Sequence, residues 1–421
     1  MSSTLTDVDS FLIPRINWSQ QVIEGTSFTV DWILKALGTY GQSLEASEIV
    51  NISVSNIDNG YGFASDILRI VICCTNPSKT LSTVLKIPTP HLKNRVYYFN
   101  REIKFYDNFS DLVPIPLPRI YRTVKWKPEE TLGAILMEDL SRSCHVQSVC
   151  EGLSVEQLLS IAKHLADLHN SFWNLPSQQR NSFARRFPIA EGRLQFQVSY
   201  IVSKALELVQ KYSDVFGDRL DKYVDILKDV EYHRYTAASV SEAFGLPRVL
   251  IHGDLWSNNI MWKNTNPNQV GAFLDWQEFS VGSLIFDLSR ILILCTTASV
   301  RRAYTDSVIS YYYERLNNPS FAKSQMMHAY QETLPYQSVR CAHTDSVISH
   351  YYERLNNPSF AKSQMIHAFQ ETLPYQCVHM IFAIGLIKPQ NREEDTKEML
   401  QRVVSVLDDI RGYEVMYKMS K

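Results

Sequence analysis

The chain has 421 residues, 45% hydrophobic and 20% charged, enough for one large domain or two lobes with their own cores. With 42 basic and 44 acidic residues the net charge is −2, which argues against nucleic acid or an anionic membrane as a partner. An aromatic share of 11% argues for an ordered chain and against disorder.

The opening residues MSSTLTDVDS lack a basic region and a long apolar core, so no signal peptide is expected. The longest uncharged apolar run, 380–387, is too short to span a bilayer. Seven scattered cysteines suit a reducing compartment, and a cytoplasmic location is expected.

Residues from about 50 to 90 read as β structure. Ile52, Val54 and Ile57 form one apolar run, and a Gly-bearing turn at 59–62 follows. Runs at 67–74 and 83–87 complete a three-stranded start to an antiparallel sheet. Residues 93–109 carry Tyr98, Phe99, Ile103 and Tyr106 near helical spacing. Gly133–Met137 is a further short strand, read as the last of this part. Beyond it the chain turns mostly helical. Ser154–Phe172 places Leu158, Ile161, Ala162, Leu165 and Leu168 on one face, and 193–230 gives further helical patterns. The plan is α+β with two lobes, a small mainly antiparallel β lobe over 1–138 and a larger helical lobe over 139–421.

The helical part holds a tandem repeat, 299–337 and 338–376, at an offset of 39 residues. The copies differ only at Arg302/Cys341, Tyr304/His343, Tyr311/His350, Met327/Ile366 and Tyr330/Phe369. Each copy reads as two helices, the second ending before Pro335 or Pro374. A stacked array normally needs three or more units, so two near-identical copies read as a segmental duplication rather than a solenoid.

The residues with the clearest chemistry lie at 252–262, HGDLWSNNIMW, straight after the apolar run Val249-Leu250-Ile251. A second apolar run ends in Leu274-Asp275. Phosphoryl transfer needs phosphate charge neutralised, an acceptor hydroxyl aligned and a place for its proton. Asp254 is the candidate base. Asn259 and Asp275 supply the hard oxygen donors that Mg²⁺ prefers. Lys86 is the candidate for the α/β phosphates of ATP, and Glu102 on the next helix for holding that lysine. Gly60 and Gly62 let a hairpin backbone approach phosphates without a Cβ in the way. Taken singly, the glycines fit an ordinary hairpin, Lys86 a solvated strand lysine and Glu102 a surface carboxylate. Their order along the chain, with HGD and an Asn five residues after the Asp, makes the joint reading the stronger one.

These motifs resemble the kinase-like small-molecule phosphotransferases, a group that includes choline kinases and aminoglycoside phosphotransferases. The residues at 60–65, 85–86, 99–102, 135–140, 165–169, 249–262, 273–277 and 284–288 look most like its CHK kinase-like (ecdysteroid-kinase-like) branch. The resemblance implies a protein-kinase-like two-lobe fold and places Glu138 and Leu140 at a hinge that holds adenine. It implies that Asp287 braces the catalytic loop and that His169 is structural, while His252 reads as a structural loop residue or as one that orients Asp254. Ser65 stands where the family's third loop glycine would be.

Only eleven residues, 276–286, separate Asp275 from Asp287, too short for a segment that docks a polypeptide. A small-molecule hydroxyl is therefore the expected acceptor: choline- or ethanolamine-like, sterol-like or glycosidic. Trp256, Trp262 and Trp276 are candidate walls for such a ligand, or core beneath the loop. The competing reading is a catalytically silent kinase-like binding or regulatory module.

Overall fold

The computed structural model describes residues 17–57, 65–89, 95–316, 361–386 and 393–417. The chain divides into two compact units. One gathers the chain up to Phe99 with Arg119–Asp139, and the other gathers Asn100–Pro118 with the chain from Leu140 onward. Asp139 closes one unit and Leu140 opens the longer stretch of the other, in which 100–118 are also grouped.

The first unit is built on a five-stranded sheet. β1 (Ile49–Asn56), β2 (Ser65–Cys74), β3 (Leu81–Pro88), β4 (Ile120–Val124) and β5 (Ala134–Glu138) lie in the order β1-β2-β3-β5-β4, and every neighbouring pair is antiparallel. Leu68, Ile70 and Ile72 of β2 share a core with Leu85 and Ile87 of β3 and Leu136 of β5. The helix Val30–Gly38 contributes Val30, Ile33, Ala36 and Leu37 to the same cluster. Thr29 starts it by accepting the Trp32 amide at 3.2 Å. This helix and β4 are additions to the sequence reading; β5 is last in the chain yet interior in the sheet.

In the second unit, helices surround two small antiparallel sheets. β6 (Cys144–Val146), β8 (Ile260–Lys263) and β9 (Asn266–Phe273) form one, in the order β6-β8-β9. β7 (Arg248–Ile251) and β10 (Ser280–Ser283) form the other, with Ile251 opposite Ser280. The helix Val155–Trp173 begins where Ser154 predicted it. Ser154 Oγ accepts the Gln157 amide at 3.2 Å, and the Gln157 side chain accepts the Ser154 amide at 2.9 Å, a capping box. Its predicted apolar face is buried. The stretches Gln197–Val202 and Tyr235–Ser239 widen to π-helical hydrogen bonding.

The repeat lies partly outside the described residues. What is described is 299–316 of the first copy and 361–376 of the second. The first forms most of the helix Ala298–Arg315, held to Val155–Trp173 by Asn170 donating to the Arg315 carbonyl at 2.7 Å. The second opens the helix Lys362–Leu386. That helix runs through Pro374, where the sequence predicted a stop. Proline removes one helical hydrogen bond, but Leu373, Tyr375, Cys377, Val378, Met380 and Ile381 are all buried, and packing overrides local propensity. Buried Glu371 on this helix accepts the Tyr413 hydroxyl at 2.5 Å and the Met416 amide at 2.7 Å, which fastens the end of the described chain. Among the described residues no helix is long and apolar enough to cross a membrane.

Candidate active site

The site is built on the loop between β7 and β8. Val249, Leu250 and Ile251 of β7 are buried, which anchors the strand that the chain leaves at His252. The helix Phe286–Leu294 then holds the loop from below. Asp287, fully buried near its start, accepts the His252 amide at 2.7 Å and the Gly253 amide at 2.9 Å. Burial raises the Asp287 carboxyl above its usual range, while His252 and the two amides pull it back. Asp287 thus braces the loop through its backbone, as the resemblance implied.

Gly253 has φ +85°, and a Cβ there would sit 2.4 Å from the Glu278 carbonyl oxygen. Only glycine fits that position. The Gly253 carbonyl accepts from Arg193 Nη2 at 2.7 Å, and Arg193 Nε pairs with Glu278 at 3.2 Å. His252 donates from Nε2 to the Leu274 carbonyl at 2.8 Å and accepts the Asp254 amide on Nδ1 at 3.2 Å. These partners fix the tautomer and give His252 a structural place in the loop.

Asp254 and Asn259 are brought together. Asn259 Nδ2 donates to the Asp254 carbonyl at 2.8 Å, which orients the amide. The Leu274 amide donates to the Asn259 carbonyl at 2.9 Å, so Asn259 is fixed beside the strand exit that delivers Asp275. Asp275 sits in the left-handed region at φ 60°, ψ 65°, uncommon for a residue with a side chain. Gln277 Nε2 donates to its Oδ2 at 3.3 Å. Two oxygen donors on adjoining segments suit a hard cation that keeps its remaining coordination for phosphate and water.

Glu102 is 1% exposed, not the surface carboxylate its charged neighbours suggested. The Tyr106 hydroxyl lies 3.5 Å from Glu102 Oε1, and burial with the charges of Glu102 and Asp275 pushes its ionisation well up. Burial likewise raises the Glu278 carboxyl, Arg193 opposes, and Asp254 and Asp275 add to the rise.

The remaining candidates lie in the first unit, except Leu140. Lys86 is 6% exposed on β3, opposite Ile67 of β2 and Ile135 of β5, on the sheet face away from the Leu85–Ile87 core. A buried strand lysine is not the solvated one expected of its type in isolation. Ser65 begins β2 opposite Pro88 and is buried. Glu138 ends β5, where its carboxylate accepts the Arg119 amide at 3.2 Å. Leu140 follows at the point where the chain passes into the second unit. Gly60 and Gly62 lie outside the described residues.

Two sequence readings are resolved by burial. Trp262 and Trp276 are 0% and 1% exposed, and Trp276 stacks on Phe105 with ring centroids 3.9 Å apart, so both are core beneath the loop. Trp256 alone of the three is partly exposed. His169 is buried against the Tyr312 hydroxyl, and burial lowers it to about 3.

The sequence reading missed Arg290. Its Nη2 donates to Asp254 Oδ1 at 2.5 Å. The signal was present: a lone arginine in Phe286–Leu294, a helix whose every residue is buried.

Comparison with known proteins adds the following. Two Caenorhabditis elegans proteins align over 68% of this chain. "Uncharacterized oxidoreductase dhs-27" is 26% identical, and the match spans 37% of its length. "Uncharacterized kinase-like protein D1044.1" is 24% identical, and the match spans 81% of its length. Among solved structures, choline kinase from Cryptosporidium parvum Iowa II is similar at 12% identity and TM-score 0.48, covering 91% of this chain and 97% of that one. The GDP complex of wild-type aminoglycoside 2'-phosphotransferase-IIIa is similar at 11% identity and TM-score 0.44, covering 90% and 97%. A family profile described as "Uncharacterized oxidoreductase dhs-27" matches residues 91–341, more than half of the chain. The chain therefore belongs to that family, DUF1679.

Proposed function

We propose that the protein is an ATP- and Mg²⁺-dependent phosphotransferase acting on a hydroxyl of a small molecule. The observation that carries this reading is the braced loop: Asp287 grips the His252 and Gly253 amides, Asn259 is tied to the Asp254 backbone, and Asp275 is held in a left-handed conformation beside it. Relaxed surface loops have no need of a buried carboxylate beneath them or of a side chain at φ 60°. A relative named as kinase-like, of which the match spans 81%, agrees with the reading.

Asp254 receives the acceptor hydroxyl and takes its proton as that oxygen bonds the γ-phosphorus. Asn259 Oδ1 and Asp275 would hold Mg²⁺, which when bound neutralises charge on the phosphate oxygens. Lys86, Ser65, Gly60 and Gly62 are proposed to serve the nucleotide phosphates, and Glu138 and Leu140 the adenine. The acceptor is proposed to be choline- or ethanolamine-like, sterol-like or glycosidic. With Trp262 and Trp276 buried, Trp256 is the tryptophan left to touch it.

A thermal-shift titration with Mg-ATP tests this. Wild type is expected to be stabilised by ligand and Asp275→Ala to lose the Mg²⁺-dependent part of that gain. No shift in wild type, or an equal shift in both, contradicts the proposal.

A further inference from the structure

We infer that Arg290 is a positioning residue for Asp254. The inference deepens the phosphotransferase reading and rests on it. Arg290 stands three residues after Asp287, so both project from one side of the helix Phe286–Leu294. That helix therefore grips the loop twice. Asp287 holds its backbone, at the His252 and Gly253 amides. Arg290 holds its working side chain, with Nη2 2.5 Å from Asp254 Oδ1.

Arg290 is 7% exposed, and its Nε and Nη1 are buried with no hydrogen-bond partner. Buried cations are normally satisfied more fully than this. Packing holds Arg290 where only one of its hydrogen-bonding corners is used, and that corner meets Asp254. The Asp254 side chain is 28% exposed against 9% for Arg290, so the carboxylate has solvent on one side and the guanidinium on the other. One oxygen is engaged by a charge-assisted bond, which fixes the carboxylate rotamer. Oδ2 is left for the acceptor.

In the transfer the acceptor oxygen bonds the γ-phosphorus. The bond from that phosphorus to the bridging oxygen breaks, its electrons leave on ADP, and the hydroxyl proton passes to Oδ2. Arg290 does not touch the reacting atoms. It keeps Oδ2 in line, and a displacement of about 1 Å at such a position costs on the order of 100-fold in rate.

The experiment uses the full chain and water as the acceptor, reading ADP formed from Mg-ATP with kcat and KM separated. Arg290→Met is expected to lower kcat about 100-fold while KM for ATP and the Mg-ATP thermal shift stay within about twofold of wild type. Arg290→Lys, which keeps the charge and one donor, is expected to recover about tenfold of that loss. A structural role alone would move melting temperature and KM without this split or rescue. Folded Arg290→Met with wild-type kcat overturns the inference. Should Arg290→Met fail to fold, Arg290→Lys decides alone: wild-type kcat overturns, and a drop of about tenfold at unchanged KM supports. A wild-type protein that neither binds Mg-ATP nor forms ADP overturns the phosphotransferase reading itself, an outcome distinct from wild-type turnover that ignores Arg290.

Discussion

The Gly253 amide donates to Asp287 Oδ1 at 2.9 Å, across 34 residues of sequence, and fixes the loop that carries Asp254. The bond exists only because Gly253 holds φ +85° beside the Glu278 carbonyl. Gly253→Ala is therefore expected to cost about 1–3 kcal/mol and to displace the loop. Denaturant unfolding would show the lower midpoint; an unchanged midpoint with unchanged activity would contradict the close approach.

Asp287→Asn probes the other partner. An amide can accept from one of the two backbone donors but presents its own NH₂ to the second. A loss of about 2–4 kcal/mol is expected for a buried charged acceptor of two amides, with turnover falling at least tenfold. Calorimetry and ADP release measured on the same sample check both.

Acid should weaken the fold early. Burial lowers His164 and His233 to about 4 and His169 to about 3, from an ordinary value of 6.5, and lowers His379 well below that value too. Each binds a proton more readily when unfolded. The stability they contribute is present above pH 6.5 and is lost as pH falls from there toward about 4. Each adds a slope of up to about 1.4 kcal/mol per pH unit. Urea midpoints between pH 7 and 4.5 should fall steeply, and His169→Gln should flatten the slope. A flat profile would contradict the buried, uncharged placement.

The repeat offers a deletion test. Removing 317–355 joins Leu316 to Asn356 and restores one copy, with the same residues at the junction as in either copy. Every described residue is retained. The melting temperature is expected to stay within about 3 °C, since no described buried contact is lost. A non-cooperative or unfolded product would show that both copies are needed.

Lys86 and Glu102 were expected to pair, and both are nearly buried. A cycle of Lys86→Met, Glu102→Gln and the double variant, read as Mg-ATP affinity, should give a coupling of about 1 kcal/mol or more. Additive losses would contradict the pairing.

The sequence carried the α+β class because its signals were long: β2 is an apolar run broken by Arg69, and Val155–Trp173 has a capping box and a clean apolar face. It did not reveal β4, whose five residues IYRTV alternate too briefly, nor the run of the last long helix through Pro374. Propensity is local, whereas the burial around Tyr375 is tertiary. The loop at 252–259 was legible because its spacing is itself the motif. Arg290 and Arg193 were not, because their partners lie 36 and 60 residues away and only folding brings them together.

The most direct test of the central claim is phosphate transfer from labelled Mg-ATP, read both as ADP release and as labelled product over choline, ethanolamine, steroid and glucoside acceptors. Wild type is predicted to turn over ATP and to label one acceptor class, and Asp254→Asn to lose at least about 100-fold of that rate while still binding Mg-ATP. A folded wild-type protein that releases no ADP with any acceptor, or an Asp254→Asn variant as active as wild type, would contradict it.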